Sequence, residues 1–153
     1  MRIIEERIDM FAYMSWADAS VWRVVLENEE AGKDQRIQDL FYHLIKVQRA
    51  FFSLWIKAEI QRPDPSSFAE PADLAKWGKS FHDQARLFLD KVDDSLLDRP
   101  IVVPWAGRIA EKFGAQPKSI TWLDTIHQVN HHSTYHRGQI NARLRELNID
   151  PPN

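Results

Sequence analysis

Six histidines and no cysteine are the residues of this 153-residue chain with the clearest capacity for chemistry. The lack of cysteine excludes disulfides, thiolate-ligated zinc, iron–sulfur clusters and a thiol nucleophile supplied by the chain. Any bound metal must therefore be held by imidazoles and carboxylates. Residues four apart on a helix lie one above the other, so the pairs His127/His131 and His132/His136 could each place two imidazoles on one ion.

Helical phase separates these two pairs. At roughly 100° per residue, His132 and His136 fall about 40 to 80° from the centre of the apolar stripe of their helix, whereas His127 and His131 fall roughly 140 to 180° away, towards solvent. His43 lies roughly 60° from the centre of the stripe of an earlier helix. We therefore predict that His43, His132 and His136 converge at a buried edge.

Three neutral imidazoles suit zinc, nickel, iron or copper, and three protein ligands leave positions open for water or substrate, as in catalytic sites. A single histidine at the edge of an apolar face is more often a hydrogen-bonded boundary residue. Geometry alone therefore leaves a metal site and ordinary boundary histidines equally open. The sixth histidine, His82, projects near the border of its apolar face without a histidine one turn away, and is predicted to be a surface residue with no role.

Four neighbours of these histidines are candidates for supporting roles. Gln139 lies on the same side of its helix as His132, and Asp39 lies one turn before His43, so either could hydrogen-bond an imidazole. A plain surface amide and an ordinary exposed aspartate are the competing interpretations. Arg137 is predicted to pair across helices, and Gly138 suggests a close helix approach or space for the site.

Helical elements must position these residues. Apolar residues recur at three- and four-residue spacing in four stretches, which span residues 3–28, 35–60, 71–92 and 119–147. The first stretch is expected to close near Gly32, Pro71 to begin the third, Ser119 to cap the last and Asn148 to end it in the left-handed conformation. Four long helices with one apolar face each can bury those faces together only as a bundle.

Residues 93–118 have no helical period and contain several breakers, among them Pro100, Pro104 and Pro117. We predict a long irregular loop before the last helix, with a short β segment around residues 101–103. Trp105 is expected to pack this loop, although a binding role is also open. The predicted fold is all-α, a single four-helix-bundle domain over residues 1–153.

Composition narrows the class of protein. The chain is 44% hydrophobic and 27% charged, which is typical of a globular domain, and its net charge of −2 gives no basic surface for nucleic acid. The first residues are interrupted by charges and no stretch is apolar enough to span a bilayer. We therefore expect a cytoplasmic protein that binds neither nucleic acid nor membrane.

The segment NHHSTYHRGQI, residues 130–140, resembles the last-helix signature of the DinB/YfiT-like family of metal-dependent four-helix-bundle proteins. The family's lone histidine early in the second helix matches His43 in LFYHL, and YMSWAD and LRELNIDPP resemble its beginning and end, so the likeness covers essentially the whole chain. It implies that His43, His132 and His136 bind one divalent ion, zinc or nickel before iron or copper. Three positions depart from the pattern: His131 intervenes between Asn130 and His132, Asp18 stands where asparagine is commoner, and Asn148 stands where many relatives have glycine.

The resemblance also implies an activity. Relatives include transferases that attach low-molecular-weight thiols such as bacillithiol to electrophiles, and a mycothiol-dependent maleylpyruvate isomerase. We therefore expect a metal-dependent thiol S-transferase or hydrolase that acts on a small molecule, with a low-molecular-weight thiol as cosubstrate. The alternative is a non-catalytic metal- or ligand-binding stress-response protein, and a homodimer is open in either case.

Overall fold

Helices account for most of the residues that this computed structural model describes, which are 3–115 and 118–152. Within that part of the chain they are α1 (Ile3–Glu27), α2 (Glu29–Lys33), α3 (Gln35–Trp55), α4 (Pro71–Leu89), α5 (Ala106–Phe113) and α6 (Trp122–Glu146). The predicted all-α class is confirmed. No helix among the described residues is both long and apolar enough to cross a membrane.

The four long helices, α1, α3, α4 and α6, each pack against two of the others: α3 against α6 and α4, and α1 against α4 and α6. The α3–α6 contact is the most extensive. Its polar pairs join the beginning of α3 to the end of α6 (Asp34 with Arg143) and the end of α3 to the beginning of α6 (Trp55 with Thr125). The two helices that carry the predicted metal ligands therefore run antiparallel.

Several predicted helix ends differ from the observed ones. The first helix stops at Glu27, because Asn28 caps the short α2 by accepting a hydrogen bond from Ala31 N, and Gly32 lies inside α2. Ser119 is not the cap of the last helix. Thr121 is, because its hydroxyl accepts from Asp124 N while the Asp124 carboxylate accepts from Thr121 N.

Two other helix ends agree with their predictions. Pro71 occupies the first turn of α4, where its missing N–H costs nothing. Asn148 follows α6 with φ of 57°, in the left-handed region, as predicted.

The segment between α4 and α6 is more ordered than the predicted loop. It contains a 3₁₀ turn (Asp94–Leu96) and the eight-residue α5, which ends at Gly114 with φ of 67°. In the described part of the segment the expected β segment is reduced to one isolated antiparallel bridge, between Pro100 and Thr121. Pro117, a predicted breaker, lies outside the described residues.

The apolar core has two parts. One part is built around Phe11, Phe51 and Trp122, and the other around Trp22, Phe41 and Leu144. On α1, α3 and α6, buried polar residues lie between the apolar residues of one part and those of the other, and on α4 the buried His82 directly follows Phe81 of the first part. These polar residues are Asp18, Gln48, His82, Ser133 and Arg137. A polar layer therefore crosses the middle of the molecule.

Candidate metal centre

The predicted histidines come together at the interface of α3 and α6. One ring nitrogen from each of His43, His132 and His136 lies within 4.8 Å of the other two, and together they could hold a metal ion. His43 comes from the third turn of the long α3, and the i, i+4 spacing of His132 and His136 places their ring centroids 4.3 Å apart on α6. Helical phase therefore located all three.

The spacing of two of the three nitrogens is close to that expected around a single ion. His43 Nε2 and His132 Nε2 are 3.1 Å apart. Two nitrogens bound at about 2.0 to 2.1 Å in a tetrahedral site would be about 3.3 Å apart. A few tenths of an ångström of side-chain movement would thus suffice for both rings to bind the same ion.

The surroundings keep the rings of His132 and His43 uncharged at neutral pH. Burial above all, and then the neighbouring His136 and His43, lower the pKa of His132 to about 4. Burial likewise lowers the pKa of His43, with smaller contributions from His136 and Lys46. Because only an unprotonated nitrogen can donate its lone pair, these rings are in the binding form at neutral pH.

The two supporting candidates lie in different places. Gln139 Oε1 accepts a hydrogen bond from His136 Nδ1 at 2.7 Å, which leaves His136 Nε2 with the free lone pair. The Gln139 amide group also donates to Tyr135 Oη at 3.2 Å. Asp39 is exposed, accepts instead from Gln35 Nε2 at 2.8 Å, and lines a separate cleft beside α2.

The other i, i+4 pair does not contribute to the cluster. His131 is exposed and His127 half-buried, and their rings stack on each other with centroids 6.1 Å apart. Their predicted exclusion from the three-histidine group is confirmed.

The prediction for His82 is wrong. Its side chain is buried, and its Nε2 lies 2.8 Å from Asp18 Oδ2. The other oxygen of Asp18 accepts from Arg137 Nη1 at 2.7 Å, which confirms that Arg137 pairs across helices. Gln48 Nε2 donates to Asp18 Oδ2 at 2.8 Å and lies 3.1 Å from Ser133 Oγ, so the polar layer is hydrogen-bonded from α1 through α3 and α4 to α6.

This network is connected to the three-histidine cluster by the backbone of α6, because Ser133 directly follows His132 and Arg137 directly follows His136. One side of α6 thus carries His132 and His136, while the adjacent side is hydrogen-bonded within the polar layer. The sequence contained a signal for the network. Asp18 and Gln48 each stand where the apolar stripe of their helix would continue, four residues after Met14 and Leu44 respectively.

Gly138, between Arg137 and Gln139, had two expected settings, a close helix approach or space for the site, and the structure excludes the first. A Cβ atom at this position would meet no described atom within 4 Å, so the expected close helix approach is wrong. Such an approach occurs instead at Gly78, where a Cβ would lie 2.9 Å from Ile45 Cδ1 of α3.

Comparison with known proteins adds no relative: the chain matches no family model and no curated protein. The likeness to the DinB/YfiT-like family therefore stays a prediction from the motif and its spacing.

Proposed function

We propose that this chain is a DinB/YfiT-like metal-dependent enzyme that activates a low-molecular-weight thiol, or water, for transfer to an electrophilic small molecule. One observation carries the proposal: three imidazoles from α3 and α6 offer nitrogens within 4.8 Å of one another. Three protein ligands leave coordination positions open, which distinguishes catalytic from structural sites. The family resemblance adds the thiol and the arrangement of the long helices as a four-helix bundle.

The chemistry follows from the residues present. A bound divalent ion would lower the pKa of a thiol or of water and so supply a nucleophile at neutral pH. Since the chain has no cysteine, the sulfur would arrive with the cosubstrate. The thiol sulfur would form a bond to the electrophilic carbon as the bond from that carbon to its leaving group breaks, the leaving group would take the bonding electron pair, and the thiol proton would pass to solvent or to the leaving group.

The chain's own contribution is to hold and orient. His43 and His132 provide uncharged rings, and Gln139 fixes the His136 ring by accepting from its Nδ1–H. We propose zinc or nickel as the ion, with iron or copper as further candidates, because three imidazoles accept several first-row metals.

Elemental analysis of the purified protein tests the metal site. We expect near-stoichiometric metal in the wild type and in His131→Ala, and loss of metal in His136→Ala. His131 is the matched control, because it lies on the same helix but is exposed and stacks on His127. Equal loss in both variants would refute the assignment of ligands.

Thiol consumption with chlorodinitrobenzene tests the activity. Metal-loaded protein should consume a low-molecular-weight thiol faster than chelated protein or His136→Ala. If the protein binds metal but does not consume the thiol, the non-catalytic alternative, a metal- or ligand-binding stress-response protein, is favoured over the enzyme. Size-exclusion chromatography of the same samples tests whether the protein forms a homodimer.

A further inference from the structure

A cavity of about 430 Å³ adjoins the metal centre, and His132 forms part of its wall. On α3, Val47 and Phe51 lie one and two turns beyond His43. On the antiparallel α6, Gln128 lies one turn before His132. The groove between the two helices therefore continues from the histidines into the cavity.

The segment before α6 forms one wall of the cavity. Val103, Trp105, Ala106 and Ile109 all line it. The ring of Trp105 meets Phe51 edge to face, with centroids 5.2 Å apart. The stretch that was predicted to be an irregular loop is thus an ordered wall opposite α3 and α6.

The lining suits an uncharged, apolar group. Asp124 is the only charged side chain among the described lining residues. Its carboxylate accepts hydrogen bonds from the backbone and hydroxyl of Thr121, and these bonds lower its pKa, so that it stays an anion that disfavours a negatively charged ligand. The volume lies within the range of small-molecule sites, about 300 to 1,000 Å³.

We propose that this cavity binds an uncharged aryl group of the molecule that reacts at the three histidines. The proposal rests on the proposed function, because it assumes that the histidines bind a metal at which chemistry occurs. It makes the 103–109 segment the part of the chain that determines substrate preference, with Trp105 and Phe51 contacting the aryl ring.

Two hydroxamates test the proposal by calorimetry on the zinc-loaded protein. Benzohydroxamate and acetohydroxamate share the metal-binding group and differ only in phenyl against methyl. Burial of the phenyl ring should make benzohydroxamate bind at least about tenfold more tightly than acetohydroxamate. His136→Ala, which lacks a ligand, should bind neither.

Two substitutions locate the preference in the cavity. Ile109→Trp introduces bulk from a position that is 51% exposed, and Trp105→Ala removes the aromatic wall. Each should reduce the ratio of the two affinities to within about twofold of unity. Val102→Trp is the control, because Val102 directly precedes this segment, is 84% exposed and does not line the cavity.

The outcomes separate the two proposals. Equal affinity for both hydroxamates in the wild type, or a ratio that neither cavity substitution changes in folded protein, overturns the aryl site and leaves the metal centre standing. Failure of the wild-type protein to take up zinc, nickel, iron or copper, or of the metal-loaded protein to bind either hydroxamate, overturns the proposed function itself.

Discussion

At the scale of single residues, the protonation of His132 bears on the proposed metal binding and on the stability of the metal-free protein. The pKa of His132 is about 4 in the folded chain, against 6.5 for an unperturbed histidine. Between these two values the unfolded chain binds a proton that the folded chain does not. Burial of the neutral His132 ring therefore does not destabilise the folded chain above about pH 6.5. The free energy of unfolding decreases as the pH falls from there towards 4.

We therefore predict that the metal-free protein becomes less stable as the pH is lowered from 7.5 to about 4.5, because this interval spans the titration of His132. Urea denaturation at a series of pH values measures the effect. His132→Asn, which cannot titrate in this range, should show a shallower dependence. An unchanged slope in that variant would assign the pH dependence to other groups.

The sequence located the three clustered histidines but not all of their hydrogen-bond partners, for a physical reason. Phase along one helix decides whether a side chain reaches the buried edge, and this was enough for His43, His132 and His136. Helical phase does not decide which of several neighbouring groups a side chain will choose as its hydrogen-bond partner. Gln139 reaches His136 within one turn, whereas Asp39 hydrogen-bonds to Gln35, which competes for the same carboxylate.

At the scale of elements, the ends of the helices are fixed by caps that also tie helices together. Asp34 caps α3, because its Oδ1 accepts from Ile37 N at 2.9 Å. Its Oδ2 accepts from Arg143 near the end of α6 at 2.7 Å, and this bond is the largest cause of the lowered pKa of Asp34. The Asp34 carboxylate thus caps the helix that carries His43 and joins it to the helix that carries His132 and His136.

We predict that Asp34→Ala lowers the free energy of unfolding by about 1 to 2 kcal/mol, since it removes both the cap and the ion pair. Asp34→Ser is the matched control, because serine caps a helix but cannot pair with Arg143, and it should lose about half as much. Urea denaturation at neutral pH measures both variants. Equal losses would show that the cap itself contributes nothing.

The boundaries that the sequence missed follow the same physics. Ser119 and Thr121 are both good capping residues, and the choice between them depends on Asp124, which only Thr121 can reach three residues away. The short α5 escaped prediction because eight residues that include Gly107 have little intrinsic helical stability, and its buried contact comes from a single residue, Ala110. Tertiary packing, which periodicity does not report, makes it a helix.

At the scale of the whole molecule, the polar layer lies between two apolar clusters and joins all four long helices. Asp18 is its centre, with His82, Gln48 and Arg137 as hydrogen-bond partners from three other helices. No single helix reveals such a set, so His82 seemed a surface residue when its own helix was considered alone. Asp18 is also a position where the chain departs from the family pattern, and the departure places a carboxylate between an arginine and a histidine.

We predict that Asp18→Leu destabilises the fold by about 3 to 5 kcal/mol, because it leaves the guanidinium of Arg137, which is 6% exposed, without its carboxylate partner. The double variant Asp18→Leu/Arg137→Met removes the buried charge as well, and should be less destabilised than the sum of the two single variants by at least about 1 kcal/mol.

Urea denaturation of the wild type, both single variants and the double variant closes the cycle, with circular dichroism to confirm that each chain is helical. Asp83→Leu is the control, because Asp83 follows His82 but its ion pair with Lys79 is exposed, so the change should be within about 0.5 kcal/mol. Additive losses in the cycle would mean that the carboxylate and the guanidinium stabilise the fold independently. A double variant that is less destabilised than the sum of the two single variants would instead show that the two charges act as a pair, which joins α1 to the turn of α6 that carries His136.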